Sequence, residues 1–222
     1  MGAMARASAQ LAFEDEAAPM TDLDGPGTIV RAASAAEGPE DAEAARHRRD
    51  VEDLERVVAG DERAFRDLVD RYRDRIFGFC LRMLSDPSEA EDVAQDVFLT
   101  LYRHASSFRG ESRVSTWLYR IAKNQTLNRL KYLDRRGRGS RTPLHVVRED
   151  ALVDGGRRPD EHHEHRELWR HVQDALAELE EDYRLVVVLR DIDGLPYEEI
   201  AQITGLPKGT VKSRIQIGRA HV

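Results

Sequence analysis

A helix-turn-helix pattern near the C-terminus constrains the fold more than any other stretch of the sequence. It spans residues 195–214, which read LPYEEIAQITGLPKGTVKSR. Apolar residues recur at helical spacing on both sides of an interruption at Thr204-Gly205-Leu206: Ile200, Ala201 and Ile203 before it, Val211 and Ile215 after it. Small Ala201 allows a close helix crossing, Gly205 allows a positive φ at the turn, and Val211 packs back across the angle. The pattern predicts two short helices joined by a tight turn.

The second of these helices has a surface suited to binding DNA. Its polar or basic residues are Lys208, Thr210, Lys212, Ser213 and Arg214. Arg and Lys can donate to guanine edges, Ser and Thr can contact phosphate or base, and the helix N-terminus offers free N–H groups to phosphate. On this motif alone, an ordinary helical hairpin with a solvated polar face remains the alternative.

The overall charge argues against a protein that binds duplex DNA unaided. The chain has 34 basic against 41 acidic residues, a net charge of −7, whereas free-standing duplex binders are usually basic. Its basic residues must therefore be segregated, or its DNA binding must depend on a partner.

No apolar run approaches the ~18 residues of a membrane span, and no secretory leader is recognisable. We therefore expect a soluble, cytoplasmic protein without membrane insertion.

The single cysteine, Cys80, excludes a framework of disulfide bonds. It lies among Phe77, Phe79 and Leu81, which favours a buried packing thiol over a reactive one.

Composition and periodicity predict an all-α protein of two small helical domains. Residues 1–50 form an acidic segment without a sustained period, predicted to be a disordered tail. Residues 51–133 have the pattern of amphipathic helices, residues 134–159 have the Gly, Pro and mixed charge of a flexible linker, and residues 160–222 return to helix. Asp61, Ser85 or Asp86, and Pro87 are suited to helix boundaries.

The helix predicted over residues 88–103 has an acidic outer side. The residues on that side are Glu89, Glu91, Asp92, Gln95 and Asp96. Two interpretations fit: favourable placement of negative charge near a helix N-terminus, or a docking face for a basic partner.

The charge inverts in the next stretch. Between residues 103 and 141 only Glu111 and Asp134 are acidic, while the basic residues are Arg103, Arg109, Arg113, Arg120, Lys123, Arg129, Lys131, Arg135, Arg136, Arg138 and Arg141. A segment with so large an excess of basic over acidic residues indicates a nucleic-acid site. Trp117, Leu118, Ile121 and Ala122 share the spacing of a buried stripe. Tyr119, Arg120, Lys123, Asn124 and Asn128 fall away from that stripe, where we expect them to meet bases and phosphates.

These residues form three blocks that together resemble the extracytoplasmic-function (ECF) sigma factors of the bacterial sigma-70 family. The blocks are DPSEAEDVAQDVFLTLYR, FRGESRVSTWLYRIAKNQTLNRL and LRDIDGLPYEEIAQITGLPKGTVKSRI, and the likeness covers about residues 61–215. It implies that residues 51–133 are sigma region 2 and residues 160–222 are sigma region 4. It further implies a sigma factor, not an enzyme, that directs core RNA polymerase to promoters and promotes strand opening.

The resemblance also assigns roles to individual residues. It implies that Glu89, Asp92, Gln95 and Asp96 bind the polymerase at its β′ clamp helices. Binding of the −10 element falls to Phe108, Arg109, Arg113, Trp117, Arg120, Lys123, Asn124 and Asn128. Binding of the −35 element falls to Lys208, Thr210, Lys212, Ser213 and Arg214. The linker would thread the polymerase channels, with Glu149, Asp150 and Asp154 mimicking nucleic acid. The β flap of the polymerase, promoter DNA and an anti-sigma factor are the other partners implied.

Residues 216–222, QIGRAHV, depart from the family pattern. They resemble the conceptual translation of a sequencing adapter, so we expect a truncated gene with artefactual residues at its end. We assign no function after Ile215.

Two competing functions are weaker. A helix-turn-helix regulator that binds duplex operators alone is disfavoured by the acidic balance and by the basic block. A metal-dependent hydrolase built on His162, His163 and His165 lacks a cysteine partner or a second ligand cluster, and a solvated helix start explains that cluster better. We expect no metal and no cofactor.

Overall fold

A computed structural model describes residues 39–137, 169 and 171–221, and every regular element in this part of the chain is helical. The elements are α1 (Pro39–Val58), α2 (Glu62–Leu84), α3 (Pro87–His104), a 3₁₀ turn (Ala105–Ser107), α4 (Val114–Arg135), α5 (residues 171–178), α6 (Glu181–Val187), a π-helical turn (Val188–Ile192), α7 (Tyr197–Thr204) and α8 (Lys208–His221). The all-α fold class is therefore confirmed.

Helices α1 to α4 pack into an N-terminal bundle. Its core contains Leu68 and Ile76 of α2, Leu101 of α3 and Leu118 of α4, all inaccessible to solvent. The ring of Phe79 meets the ring of Tyr119 edge to face, with centroids 5.7 Å apart. Each helix contributes one apolar stripe at a period of 3.6 residues, so the amphipathic pattern leads directly to this packing.

Helix boundaries in the bundle lie where the capping residues predict them. The Asp61 carboxylate accepts from the backbone N–H of Arg63 at 2.9 Å at the start of α2. The Asp86 carboxylate accepts from the N–H groups of Ser88 and Glu89 at the start of α3, with Pro87 in the first turn. Ser85 ends α2 in the left-handed region, at φ 57°. The carboxylates of Asp61 and Asp86 thus satisfy N–H groups that have no partner within the helix.

Helix α1 corrects the predicted boundary of the N-terminal tail. It begins at Pro39, before the predicted domain start at residue 51. Its Asp50 and Asp53 are buried and pair with Arg71 of α2, and the Tyr72 hydroxyl donates to Asp50. Residues 41–49 are exposed or half-buried, with no buried apolar residue among them, and so apolar periodicity missed the beginning of the helix. Residues 1–38 of the predicted tail lie outside the described residues.

Helices α5 to α8 contain the helix-turn-helix, whose predicted form is confirmed. Ile200 and Ile203 of α7 pack with Val211 and Ile215 of α8, and all four are at most 1% exposed. Gly205 lies in the left-handed region at φ 75°, and its N–H donates to the Ala201 carbonyl at 2.8 Å. The positive φ that the turn requires is thus supplied by the residue that tolerates it best.

Most of the predicted linker lies outside the described residues. Helix α4 continues to Arg135, just past the predicted linker start at residue 134. Glu149, Asp150 and Asp154, and the histidines 162, 163 and 165, fall in the part that is not described. Within residues 39–137, 169 and 171–221, no cluster of His, Cys, Asp or Glu could hold a metal ion, and no helix is suited to crossing a membrane.

Cys80 has the environment predicted for a packing thiol. It is fully buried, with its Sγ 3.7 Å from the Thr126 hydroxyl. Burial raises the pKa of this thiol to about 12, so it stays protonated at neutral pH.

We expect Asp50→Ala to destabilise the bundle by about 3 kcal/mol, because it leaves the buried Tyr72 hydroxyl without its partner and leaves Arg71 with only one of its two buried carboxylates, Asp53. The matched control, Glu52→Ala, changes an exposed carboxylate of the same helix and should shift the free energy of unfolding by less than about 0.5 kcal/mol. Urea denaturation followed by circular dichroism measures both. Equal effects of the two substitutions would contradict the anchoring role of Asp50.

Candidate nucleic-acid interface

The start of α4 and the loop before it form the first candidate surface. The rings of Phe108 in the loop and Trp117 in α4 lie 5.4 Å apart, tilted by 53°. Both side chains are half-buried and pack against the core, while Arg109 beside them is exposed. The aromatic pair therefore attaches the loop to the helix, and part of each side chain remains exposed.

Helix α4 presents an exposed polar row beyond this aromatic pair. Arg120, Asn124 and Asn128 recur every four residues and are all exposed, so they share one face of the helix. Lys123 borders that row and is half-buried. Burial and the neighbouring charge of Arg120 lower the pKa of Lys123. The exposed row therefore combines positive charge with amide groups, the kinds of group that can contact the phosphates and bases of nucleic acid.

Tyr119 contradicts the prediction that it lies on the exposed side with these residues. Its ring is fully buried against Phe79 of α2. The reason is tertiary: the hydroxyl side of Tyr119 is covered by Asp193 from the C-terminal half, and burial raises the pKa of the phenol. The sequence pattern could not reveal a side of α4 that a distant segment covers.

Arg113, the remaining predicted −10 residue, is paired with two carboxylates. It precedes α4 and contacts Glu43 of α1 and Glu199 of α7. The Arg113 Nη1 donates to Glu199 Oε1 at 2.9 Å. The Arg113 side chain is therefore partly covered by these partners, and 40% of it remains exposed.

The acidic outer side of α3 forms the second candidate surface. Asp92, Gln95 and Asp96 are exposed and share a face of the helix with Leu99, which is 48% exposed. Sequence reasoning missed Leu99, although its position seven residues after Asp92 places it on this face. Negative charge around an exposed apolar side chain is the arrangement expected of a docking surface.

Glu89 has a different environment from the other acidic residues of this helix. It is half-buried and pairs with Arg129 of α4, whose guanidinium also contacts Asp92 at 3.3 Å. The carboxylate of Glu89 raises the pKa of Arg129, which is consistent with a firm pair. Glu89 therefore links α3 to α4, while Asp92, Gln95 and Asp96 present the exposed face.

Helix α8 carries the third candidate surface. Lys212 and Ser213 are exposed, and Thr210 is half-buried. Lys208 pairs with Glu198 of α7, and Arg214 Nη2 lies 2.9 Å from Asp182 Oδ2 of α6. The predicted residues are thus brought together on one helix, with two of its cations already engaged within the chain.

A buried polar cluster joins the bundle to the C-terminal half. Arg82 of α2 donates to Asp193, after the π-helical turn, at 3.2 Å, and Tyr119 and Arg75 also face this carboxylate. Burial raises the pKa of Asp193 to about 6 and lowers that of Arg82, so desolvation outweighs the attraction between the two charges.

Comparison with known proteins decides the family. The model of Sigma-70 region 2 matches residues 68–136, and that of Sigma-70 region 4 matches residues 170–222. The ECF RNA polymerase sigma factor SigW of Bacillus subtilis is 39% identical over 172 residues, covering 75% of this chain and 90% of that protein. The RNA polymerase sigma-H factor of Pseudomonas aeruginosa is 41% identical over 170 residues, covering 73% of this chain and 86% of that protein.

The chain belongs to the ECF RNA polymerase sigma factors. This sigma factor also shares its fold with the sigma factor RpoE of Bartonella quintana, solved with the anti-sigma factor NepR, at a TM-score of 0.57. The two are 22% identical, and the likeness covers 71% of this chain and 92% of the other. Membership of a family of transcription initiation factors favours that function over a stand-alone regulator, and the resemblance stated from the three sequence blocks is confirmed.

We expect Asp193 to make stability depend on pH in a direction opposite to that of most carboxylates. Its folded pKa of about 6 exceeds the ordinary value of 3.8. The folded state therefore binds its proton more tightly, and the contribution is full below about pH 4 and is lost as the pH rises through about 6. The two values differ by about 2, which corresponds to about 3 kcal/mol.

Asp193→Asn should remove this pH-dependent loss, as measured by urea denaturation of both proteins between pH 4 and pH 7. Asp174→Asn, at an exposed carboxylate of α5, serves as the control and should follow the wild-type profile. Parallel profiles for wild type and Asp193→Asn would show that this carboxylate is not the buried titrating group.

Proposed function

We propose that this sigma factor directs core RNA polymerase to specific promoters and promotes strand opening, acting in the cytoplasm without catalysis of its own. The observation that carries the proposal is a pair of relatives about 40% identical across nearly their whole length, both named RNA polymerase sigma factors. Residues 51–133 would act as region 2, residues 160–222 as region 4, and residues 134–159 as the connection between them. An anti-sigma factor is a further partner that family membership supports.

In this proposal the acidic face of α3 binds the β′ clamp helices. Asp92, Gln95 and Asp96 supply negative charge, and exposed Leu99 supplies an apolar contact at the same face. Charge complementarity fixes the orientation of the partner, while burial of the leucine contributes affinity. Glu89 pairs with Arg129 of α4 and so holds α3, with its acidic face, in position on the bundle.

The loop and the exposed row of α4 bind the −10 element. Unstacking bases costs a few kcal/mol per step, and aromatic stacking and cationic contacts offset that cost. Phe108 and Trp117 provide the rings, and the positive charges come from Arg109, Arg113, Arg120 and Lys123. Asn124 and Asn128 add amide groups that can hydrogen-bond to base edges.

Helix α8 reads the −35 element in the major groove. Lys208, Thr210, Lys212, Ser213 and Arg214 supply its contacts, and the β flap of the polymerase would hold this half of the chain. Two modest DNA surfaces held on one polymerase gain effective concentration, so neither needs high affinity alone.

Run-off transcription on genomic fragments with core polymerase, with and without this chain, tests the function as a whole. Absence of any chain-dependent transcript would contradict it.

We expect the double substitution Asp92→Lys and Asp96→Lys to abolish co-purification with core RNA polymerase, because it reverses the charge of the docking face. Circular dichroism should show an unchanged helix content, since both side chains are exposed. Glu62→Lys with Asp74→Lys makes the same change of charge at exposed sites on α2 and should leave binding intact. Co-purification of the α3 variant at the wild-type level would refute the docking assignment.

Arg214→Ala should weaken −35-dependent transcription by about 1–3 kcal/mol if the guanidinium reads a base edge bidentately. To do so Arg214 must exchange its present partner, Asp182, for DNA. Titrating transcription from promoters with intact and substituted −35 elements measures the effect. An equal loss on every sequence would identify a phosphate contact and exclude base reading.

A further inference from the structure

The helix-turn-helix makes a direct polar contact with the proposed −10 surface. Glu199 of α7 accepts from Arg113 Nη1 through one carboxylate oxygen and from the Thr116 hydroxyl through the other, each at 2.9 Å. Its side chain is only 12% exposed, whereas neighbouring Glu198 is 60% exposed. The two glutamates stand side by side in sequence, and only one of them is held between the two halves of the chain.

A DNA phosphate that bound the same nitrogen of Arg113 would have to replace the Glu199 carboxylate. Carboxylate and phosphate oxygens both accept charge-assisted hydrogen bonds from a guanidinium, and one Nη1 cannot serve both with full strength. Glu43 also contacts Arg113, but α1 is held on the bundle by Asp50 and Arg71. Separation of the two halves would therefore remove Glu199 and leave Glu43 in place.

Polar contacts also border the apolar core that the two halves share. Arg82 donates to Asp193 at 3.2 Å and stacks on the Trp169 ring, with its guanidinium carbon 5.3 Å from the centroid. Arg184 Nη1 donates to the Met83 carbonyl at 2.9 Å. The two halves are therefore packed together in this form, and the Glu199 contact lies where α7 meets α4.

We propose that Glu199 is an internal competitor of DNA: in the closed form it occupies Arg113 and Thr116, and the −10 surface becomes fully available only when α7 leaves α4. This inference rests on the proposed −10 role of Arg113. A ligand that binds only the open form has its apparent affinity reduced by the fraction of molecules that are open. Weakening the Glu199 contact therefore raises DNA affinity without changing any residue of the −10 surface.

Glu199→Gln tests the proposal in the full chain, with a single-stranded DNA oligonucleotide of mixed sequence as the probe and fluorescence anisotropy as the readout. The control, Glu198→Gln, makes the same change of charge one residue away. We expect Glu199→Gln to bind the probe about ten-fold more tightly than wild type, the change that loss of one charge-assisted hydrogen bond produces. Glu198→Gln should change the affinity by less than about two-fold, the scale of an exposed ion pair.

Two further measurements identify the cause of a gain in affinity. Adding Arg113→Ala to Glu199→Gln should abolish the gain, because the unmasked group is then absent. Dyes attached at Arg66→Cys and Gln202→Cys, both exposed positions, should show reduced energy transfer in the Glu199→Gln background. Buried Cys80 should not react with the dyes in the folded chain.

Equal probe affinities for Glu199→Gln and Glu198→Gln would overturn the proposal, as would unchanged energy transfer. A gain that persists in the Arg113→Ala background would also overturn it, since it would reflect net charge alone. Co-purification of the wild-type chain with core RNA polymerase tests the proposed function independently, because that measurement does not use the probe or any Glu199 variant.

Discussion

Pairing of basic side chains with carboxylates from other helices is the constraint on which the rest of this structure depends. Arg71 holds α1 through Asp50 and Asp53, and Arg129 holds α3 through Glu89. The same type of pair connects Arg82 with Asp193 across the two halves. A chain with a net charge of −7 can therefore contain a strongly basic segment and still fold compactly, because its acidic residues are distributed where the basic ones need partners.

This pairing also resolves the apparent conflict between an acidic chain and a DNA-binding function. Arg113 and Arg214, both proposed to contact DNA, each lie beside a carboxylate of the same chain. Such pairs reduce the free positive charge and with it the attraction to arbitrary DNA. Specific binding then depends on a larger assembly that positions both surfaces together, which is consistent with a sigma factor acting on polymerase.

The burial of Asp193 shows the cost of this organisation. Its carboxylate and the Arg82 guanidinium have pKa values displaced toward their neutral forms, so the pair does not recover the hydration that both groups lose. Breaking a buried pair remains unfavourable, because a charge left in the interior then lacks its partner. The pair therefore adds little net stability to the junction of the two halves.

The sequence by itself determined the helices, their caps and the helix-turn-helix, because these depend on local spacing and on single residues such as Asp61, Asp86 and Gly205. It also located the acidic side of α3 and the basic block, since charge is visible without coordinates. Only the tertiary structure decided that Tyr119 is buried, that Glu89 pairs with Arg129 and so holds α3 on α4, and that Asp50 of α1 is buried against Arg71. Those outcomes depend on side chains distant in the chain, Asp193, Arg129 and Arg71, whose proximity no local period encodes.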